Sequence, residues 1–131
     1  MEPRISIITL GVEDLERSAE FYKQLGLPTK GNEGGIVFFN LKGTWLALYP
    51  KKLLAQDAKV ADNGAGFPSF TLAHNVRTTE EVDTIMKDAE AAGAVITDPA
   101  HDREWGGYSG YFKDPDGYLW EIAWNPHFWV E

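Results

Sequence analysis

Hydrophobic and polar positions alternate along this chain in two ways, and each way appears twice. Ile7-Ile8-Thr9-Leu10-Gly11-Val12 reads as a strand, and Leu15, Ser18, Ala19, Tyr22 and Leu25 then fall on one stripe at helical spacing. Asp14 is placed to cap that helix and Gly26 to end it. Further on, Ser69-Phe70-Thr71-Leu72-Ala73-His74 resembles the first run, with Thr-Leu in register, and a second helix follows. Thr78 and Glu81 form its capping box, Val82, Ile85, Ala89 and Ala92 its stripe, and Gly93 its stop. After each helix come short strands ending in a hairpin. Phe39 to Tyr49 matches Phe112 to Trp124, and Gly43 corresponds to Gly117 in the turn Asp114-Pro115-Asp116-Gly117. The chain therefore reads strand–helix–strand–strand–strand, twice, as an α+β fold. The first module runs from about 5 to 50 and the second from about 68 to 125, within a single domain of 5–125. Residues 51–67 lack periodicity and read as a linker, and Asp98 to Gly107 as an irregular loop able to close over a site.

Composition narrows the function. The 131 residues contain no cysteine, which excludes disulfides, zinc ribbons, iron–sulfur clusters and thiol nucleophiles. A net charge of −8 argues against nucleic acid and anionic membranes as partners. No run approaches the ~20 apolar residues of a membrane span. The start, Met1-Glu2-Pro3-Arg4, does not read as a signal peptide, so a cytoplasmic protein is expected. Aromatic content of 13% exceeds what the core requires and points to rings around a small-molecule pocket.

Two segments carry a family resemblance. Ile8-Thr9-Leu10-Gly11-Val12-Glu13-Asp14-Leu15-Glu16-Arg17-Ser18-Ala19-Glu20-Phe21-Tyr22 resembles the opening of the vicinal oxygen chelate (VOC) superfamily, and Gly110-Tyr111-Phe112-Lys113-Asp114-Pro115-Asp116-Gly117-Tyr118-Leu119-Trp120-Glu121 resembles its closing motif. The superfamily includes glyoxalase I, bleomycin- and fosfomycin-resistance proteins and extradiol dioxygenases. The resemblance implies two βαβββ modules forming a curved mixed sheet around a cleft, a homodimer, and a divalent ion held by side chains at corresponding positions of both modules. Those positions fall on Ile7, Ala47, Ser69 and Glu121, of which only Glu121 is a good donor. The expectation is accordingly no metal and no cofactor.

Alternation from Glu121 turns Ile7, Thr9, Trp45, Ala47, Tyr49, Ser69, Thr71, Leu119 and Ala123 toward the cleft, while Leu10, Val12, Leu46, Leu48, Phe70, Leu72, Trp120, Ile122 and Trp124 pack under the helices. His74 falls on the helix side. His101, Trp105 and Tyr108 reach the cleft from the long loop, and Tyr111 either lines it or packs on neighbouring rings. Glu121 has three readings: a ligand contact, a general base with its charge disfavoured by burial, or a pair with Arg103 or a backbone donor. The expected function is binding of a small apolar or aromatic organic molecule. The alternative is a lactoylglutathione lyase-like enzyme, isomerase or dioxygenase that uses Glu121 as base or recruits a metal with His101.

Overall fold

A computed structural model describes residues 1–64 and 66–127 and divides the chain into two compact units, Met1–Gly64 and Ala65–Glu131. The first contains β1 (Ile7–Val12), α1 (Leu15–Gln24), β2 (Thr29–Asn32), β3 (Val37–Asn40), β4 (Trp45–Pro50) and α2 (Lys51–Ala58). The second contains β5 (Leu72–Val76), α3 (Thr79–Ala91), β6 (Val95–Asp102), β7 (Tyr108–Lys113) and β8 (Leu119–Trp124). Each unit has one four-stranded mixed sheet, ordered β1-β4-β3-β2 and β5-β8-β7-β6. In both, the first and last strands pair in parallel and the remaining pairs are antiparallel. This is the doubled βαβββ pattern. Among the described residues no helix is long and apolar enough to cross a membrane.

The helix ends follow from local chemistry. The Asp14 carboxylate accepts from the Arg17 N–H at 3.0 Å, and the Thr78 hydroxyl accepts from the Glu81 N–H at 3.1 Å. Each bond satisfies one of the donors that a helix start leaves unpaired. Gly26 and Gly93 then leave the helices at φ +93° and +114°, where a β-carbon would be strained.

In the first unit, Tyr22 and Phe21 of α1 are buried against Leu10, Leu46, Leu48 and Phe39, all at most 2% exposed. Tyr22 meets Phe39 edge-on, with ring centroids 5.9 Å apart. In the second unit, Val82, Met86 and Ala89 of α3 supply the buried stripe, and Phe112 and Ile122 supply the sheet side. Phe112 and Trp120 stack with centroids 6.4 Å apart.

Three sequence expectations need correction. The stretch read as a linker contains α2, which buries no residue and has no side-chain cap, so no pattern marked it. Its Leu54 and Lys51 lie over Gly11, closing that end of the sheet face shared with Ile7 and Thr9. The stretch read as an irregular loop contains the second half of β6. Register shifts on either side of Asp98 break the alternation there, and Pro99 removes a ladder donor. Phe70 is not core: it precedes β5, is 41% exposed and leans on the Tyr118 ring at 6.0 Å.

Gly110 fixes how closely α3 approaches its sheet. A β-carbon there would come within 2.8 Å of the Met86 methyl and of the Ala100 nitrogen, and within 2.9 Å of the Asp98 oxygen. Gly110→Ala is expected to cost about 2 kcal/mol or more in urea denaturation, because backbone cannot yield as a side chain can. Gly64→Ala, whose added carbon meets nothing within 4 Å, should be close to neutral in the same experiment.

Candidate functional site

Each sheet has one side packed by α1 or α3 and one open side. Strand parity decides which residues reach the open side. In the second unit it starts from Glu121, which lies opposite Ala73 on β5 and Tyr111 on β7. Glu121 is half-buried. Burial and then the charge of Glu121 raise the Tyr111 pKa, so the phenol keeps its proton at neutral pH.

Arg103 lies across the same face. Its Nε donates to the Ser109 hydroxyl at 2.7 Å, and one terminal nitrogen donates to Asp98 at 2.9 Å and to the Ser109 carbonyl at 3.0 Å. Its guanidinium carbon stands 5.8 Å from the centre of the Tyr111 ring, within cation–π range. Arg103 therefore pairs with Asp98 rather than with Glu121. His101 also contacts Asp98 at 3.3 Å and has its other ring nitrogen 2.9 Å from the Asp102 carbonyl. The Arg103 hydrogen bond, aided by His101, holds the Asp98 carboxyl below the ordinary carboxylate range despite some opposing desolvation.

The open side of the first unit is apolar. Ile7 and Thr9 are exposed, Ala47 is fully covered, and Tyr49 lies half-buried opposite Gly11 at the end closed by α2. Trp45 is 41% exposed and meets Phe38 edge-on at 6.0 Å. Phe38, Trp45, Asn40, Pro28 and Thr29 line an open hollow of about 360 Å³, with Lys30 and Glu33 among its other lining residues.

Several expected site residues stand elsewhere. Tyr108 has the parity of Gly110 and Phe112, faces α3, and donates to Asp83 at 2.6 Å. Trp105 belongs to the tight turn between β6 and β7, closed by the Arg103 N–H to the Gly107 carbonyl at 2.8 Å. Its ring lies on Gly107, where an added β-carbon would come within 1.8 Å of it, so the glycine pair builds this turn. Ser69 precedes β5 at φ +66°. Because Thr9 pairs with Ala47 and Ala73 with Glu121, the equivalent of Ile7 is Thr71, two residues later than the Thr-Leu match implied. His74 pairs with Ile122 on the helix side, and its pKa is lowered by desolvation against an opposing pull from Glu81. Asp114 accepts from the Asp116 and Tyr118 N–H groups at 2.9 and 2.8 Å, which makes the acidic turn a hairpin. Phe38, Ser109 and the Asp98–Arg103 pair were missed; the side-chain-free Gly110 is the signal that would have fixed the parity of β7.

The comparisons with known proteins agree with this geometry. Residues 4–122 match the family model of the Glyoxalase/Bleomycin resistance protein/Dioxygenase superfamily. The chain belongs to that superfamily. It is 34% identical over 122 residues to the uncharacterized protein YraH of Bacillus subtilis (strain 168), covering 88% of this chain and 93% of YraH. Among solved structures it resembles a glyoxalase-related enzyme from Fulvimarina pelagi, at 38% identity and a TM-score of 0.88, covering 98% of this chain and 92% of the other. A hypothetical protein of S. aureus gives 27% identity and a TM-score of 0.83, covering 95% of each chain.

The divalent ion that the superfamily implies does not fit these residues. By strand register its positions are Ile7, Ala47, Thr71 and Glu121. Two have no donor atom, one offers a neutral hydroxyl, and Glu121 is the one carboxylate. Among the described residues no three His, Asp or Glu side chains gather as a metal site.

The Asp98–Arg103 pair predicts a pH dependence. The folded-state pKa of Asp98 is depressed, so the pair's contribution is complete above the unfolded pKa of about 3.9 and is lost as pH falls through the folded value. A carboxyl-carbon NMR titration should place Asp98 below the ordinary midpoint, and Arg103→Met should return it upward.

Proposed function

We propose that this superfamily member binds a small, largely apolar or aromatic organic molecule on its open sheet faces without a metal ion. The observation that carries the reading is the donor set: Ile7, Ala47 and Thr71 stand where metal ligands would be needed, which leaves Glu121 as the one strong donor. Exposed Ile7 and Trp45, with Phe38, give the first unit an apolar surface of the kind small-molecule sites use. Ile7, Thr9, Trp45 and Ala47 are the proposed contacts on the face of the first unit, and Thr71 and Glu121, with His101 at the Asp98 end, on that of the second. The reading retains a cytoplasmic homodimer, and exposed Ile7, Trp45 and Phe70 are consistent with association.

A second reading has one observation in its favour. The Fulvimarina relative is described as a glyoxalase-related enzyme. On that reading Glu121 is a general base for a lyase or isomerase, with Tyr111 opposite it on β7.

Elemental analysis of the purified protein is expected to find no stoichiometric metal; an ion lost in Glu121→Ala would overturn the proposal. In a thermal-shift screen of aromatic compounds, Trp45→Ala and Glu121→Gln should reduce the shifts of wild-type binders, whereas shifts unchanged in both would remove these faces from the site. Light scattering should return twice the chain mass.

A further inference from the structure

The hollow on the first unit is made by one irregularity of its edge strand. Thr29 pairs with Phe39 and Asn32 with Val37, so Lys30 and Gly31 together stand opposite Phe38. The Thr29 hydroxyl locks this bulge, donating to the Phe38 carbonyl at 2.6 Å and accepting from the Gly31 N–H at 3.1 Å. Gly31 puts no side chain beside the half-buried Phe38, and a β-carbon added to it would meet nothing within 4 Å. On the neighbouring strand Trp45 stands at 83° to Phe38, with ring centroids 6.0 Å apart. Two rings at a right angle form a corner, in which a third ring can stack on one and meet the edge of the other. A cavity of about 150 Å³ is enough for benzene. At about 360 Å³ the hollow has room for one ring and a short polar chain.

Two opposite charges line the same hollow. Lys30 comes from the bulge and Glu33 from the turn after β2. Among the described residues neither makes an ion pair, with the other or with a third group, and the Asn40 side-chain amide that also lines the hollow makes no hydrogen bond.

We infer that this hollow binds a small aromatic zwitterion, its ring in the Phe38–Trp45 corner, its carboxylate on Lys30 and its ammonium on Glu33. This rests on the small-molecule reading above and adds the place and the charge of the ligand. A ligand of one sign would pair with one of the two residues and be repelled by the other, whereas a zwitterion satisfies both. Its zero net charge also spares it repulsion by a chain of charge −8. Lys30 and Glu33 are exposed, so each ion pair selects modestly and the ring supplies the larger part of the affinity.

The test titrates four probes into the full chain by NMR: phenylalanine, 3-phenylpropionate, phenethylammonium and 2-phenylethanol. Phenylalanine should bind about threefold more tightly than either singly charged probe, and its amide shifts should centre on Lys30, Gly31 and Asn40. Lys30→Met should remove its advantage over phenethylammonium, and Glu33→Gln its advantage over 3-phenylpropionate. Trp45→Ala should weaken all four, with the amide spectrum reporting an intact fold. Phenylalanine binding no better than a singly charged probe or the alcohol, a preference that survives both charge variants, or shifts centred away from the hollow would overturn this inference and leave the small-molecule reading standing. Failure of all four probes would overturn the inference, and a stoichiometric metal found alongside that failure would overturn the small-molecule reading too.

Discussion

The absence of a side chain at Gly110 governs the second unit. With only hydrogen there, Met86 of α3 and the Asp98–Ala100 backbone of β6 both come within contact of β7. The same contact fixes the parity of the strand. Tyr108 and Phe112 must share the helix side with Gly110, so Ser109 and Tyr111 must share the open side with Glu121. Tyr108 accordingly meets Asp83, and Tyr111 meets Glu121, although the two tyrosines are only three residues apart. A one-residue slip would exchange the packed and open sets entirely.

Legibility in the sequence followed how far each element obeys a simple period. The caps at Asp14 and Thr78, the alternation of β1, β4 and β8, and the Asp114 hairpin could all be read, because each depends on neighbours within a few residues. So could the helix-side position of Ile122 and the opposite parity of Glu121. The far half of β6 could not, since its register shifts remove the alternation that identifies a strand. The helix α2 has no buried stripe, and tertiary contact with Gly11 is its visible support. The two-residue offset between Ser69 and Thr71 arose from matching letters, Thr-Leu to Thr-Leu, where the strand pairing matches Thr9 to Ala73. Arg103 was a candidate partner for Glu121 by charge, but its choice of Asp98 depends on how the turn after β6 folds back through the Gly107 carbonyl.

Electrostatics then bears on the proposal that this chain works without the metal its superfamily implies. A metal site needs several donors converging on one point, whereas here the polar groups divide into two local sets. Asp98, Arg103, His101 and Ser109 satisfy one another along β6 and β7. Glu121 and Tyr111 form the other set, joined to the first through the guanidinium over the phenol ring. Among the described residues the Arg103 cation is thus committed to Asp98 rather than to Glu121.

The two units show how the same register supports different surfaces. Phe38 lies opposite Ala47 as Tyr111 lies opposite Glu121, and Thr9 and Ala73 complete the two rows on the other side. Each unit thus keeps an aromatic ring beside the same position of its last sheet strand. Where that position is alanine, the ring carries no hydroxyl and packs on Trp45. Where it is a carboxylate, the ring is a phenol whose pKa is raised by burial and then by the Glu121 charge, and the Arg103 guanidinium stands over it. One register position thus makes the open face apolar in the first unit and charged in the second.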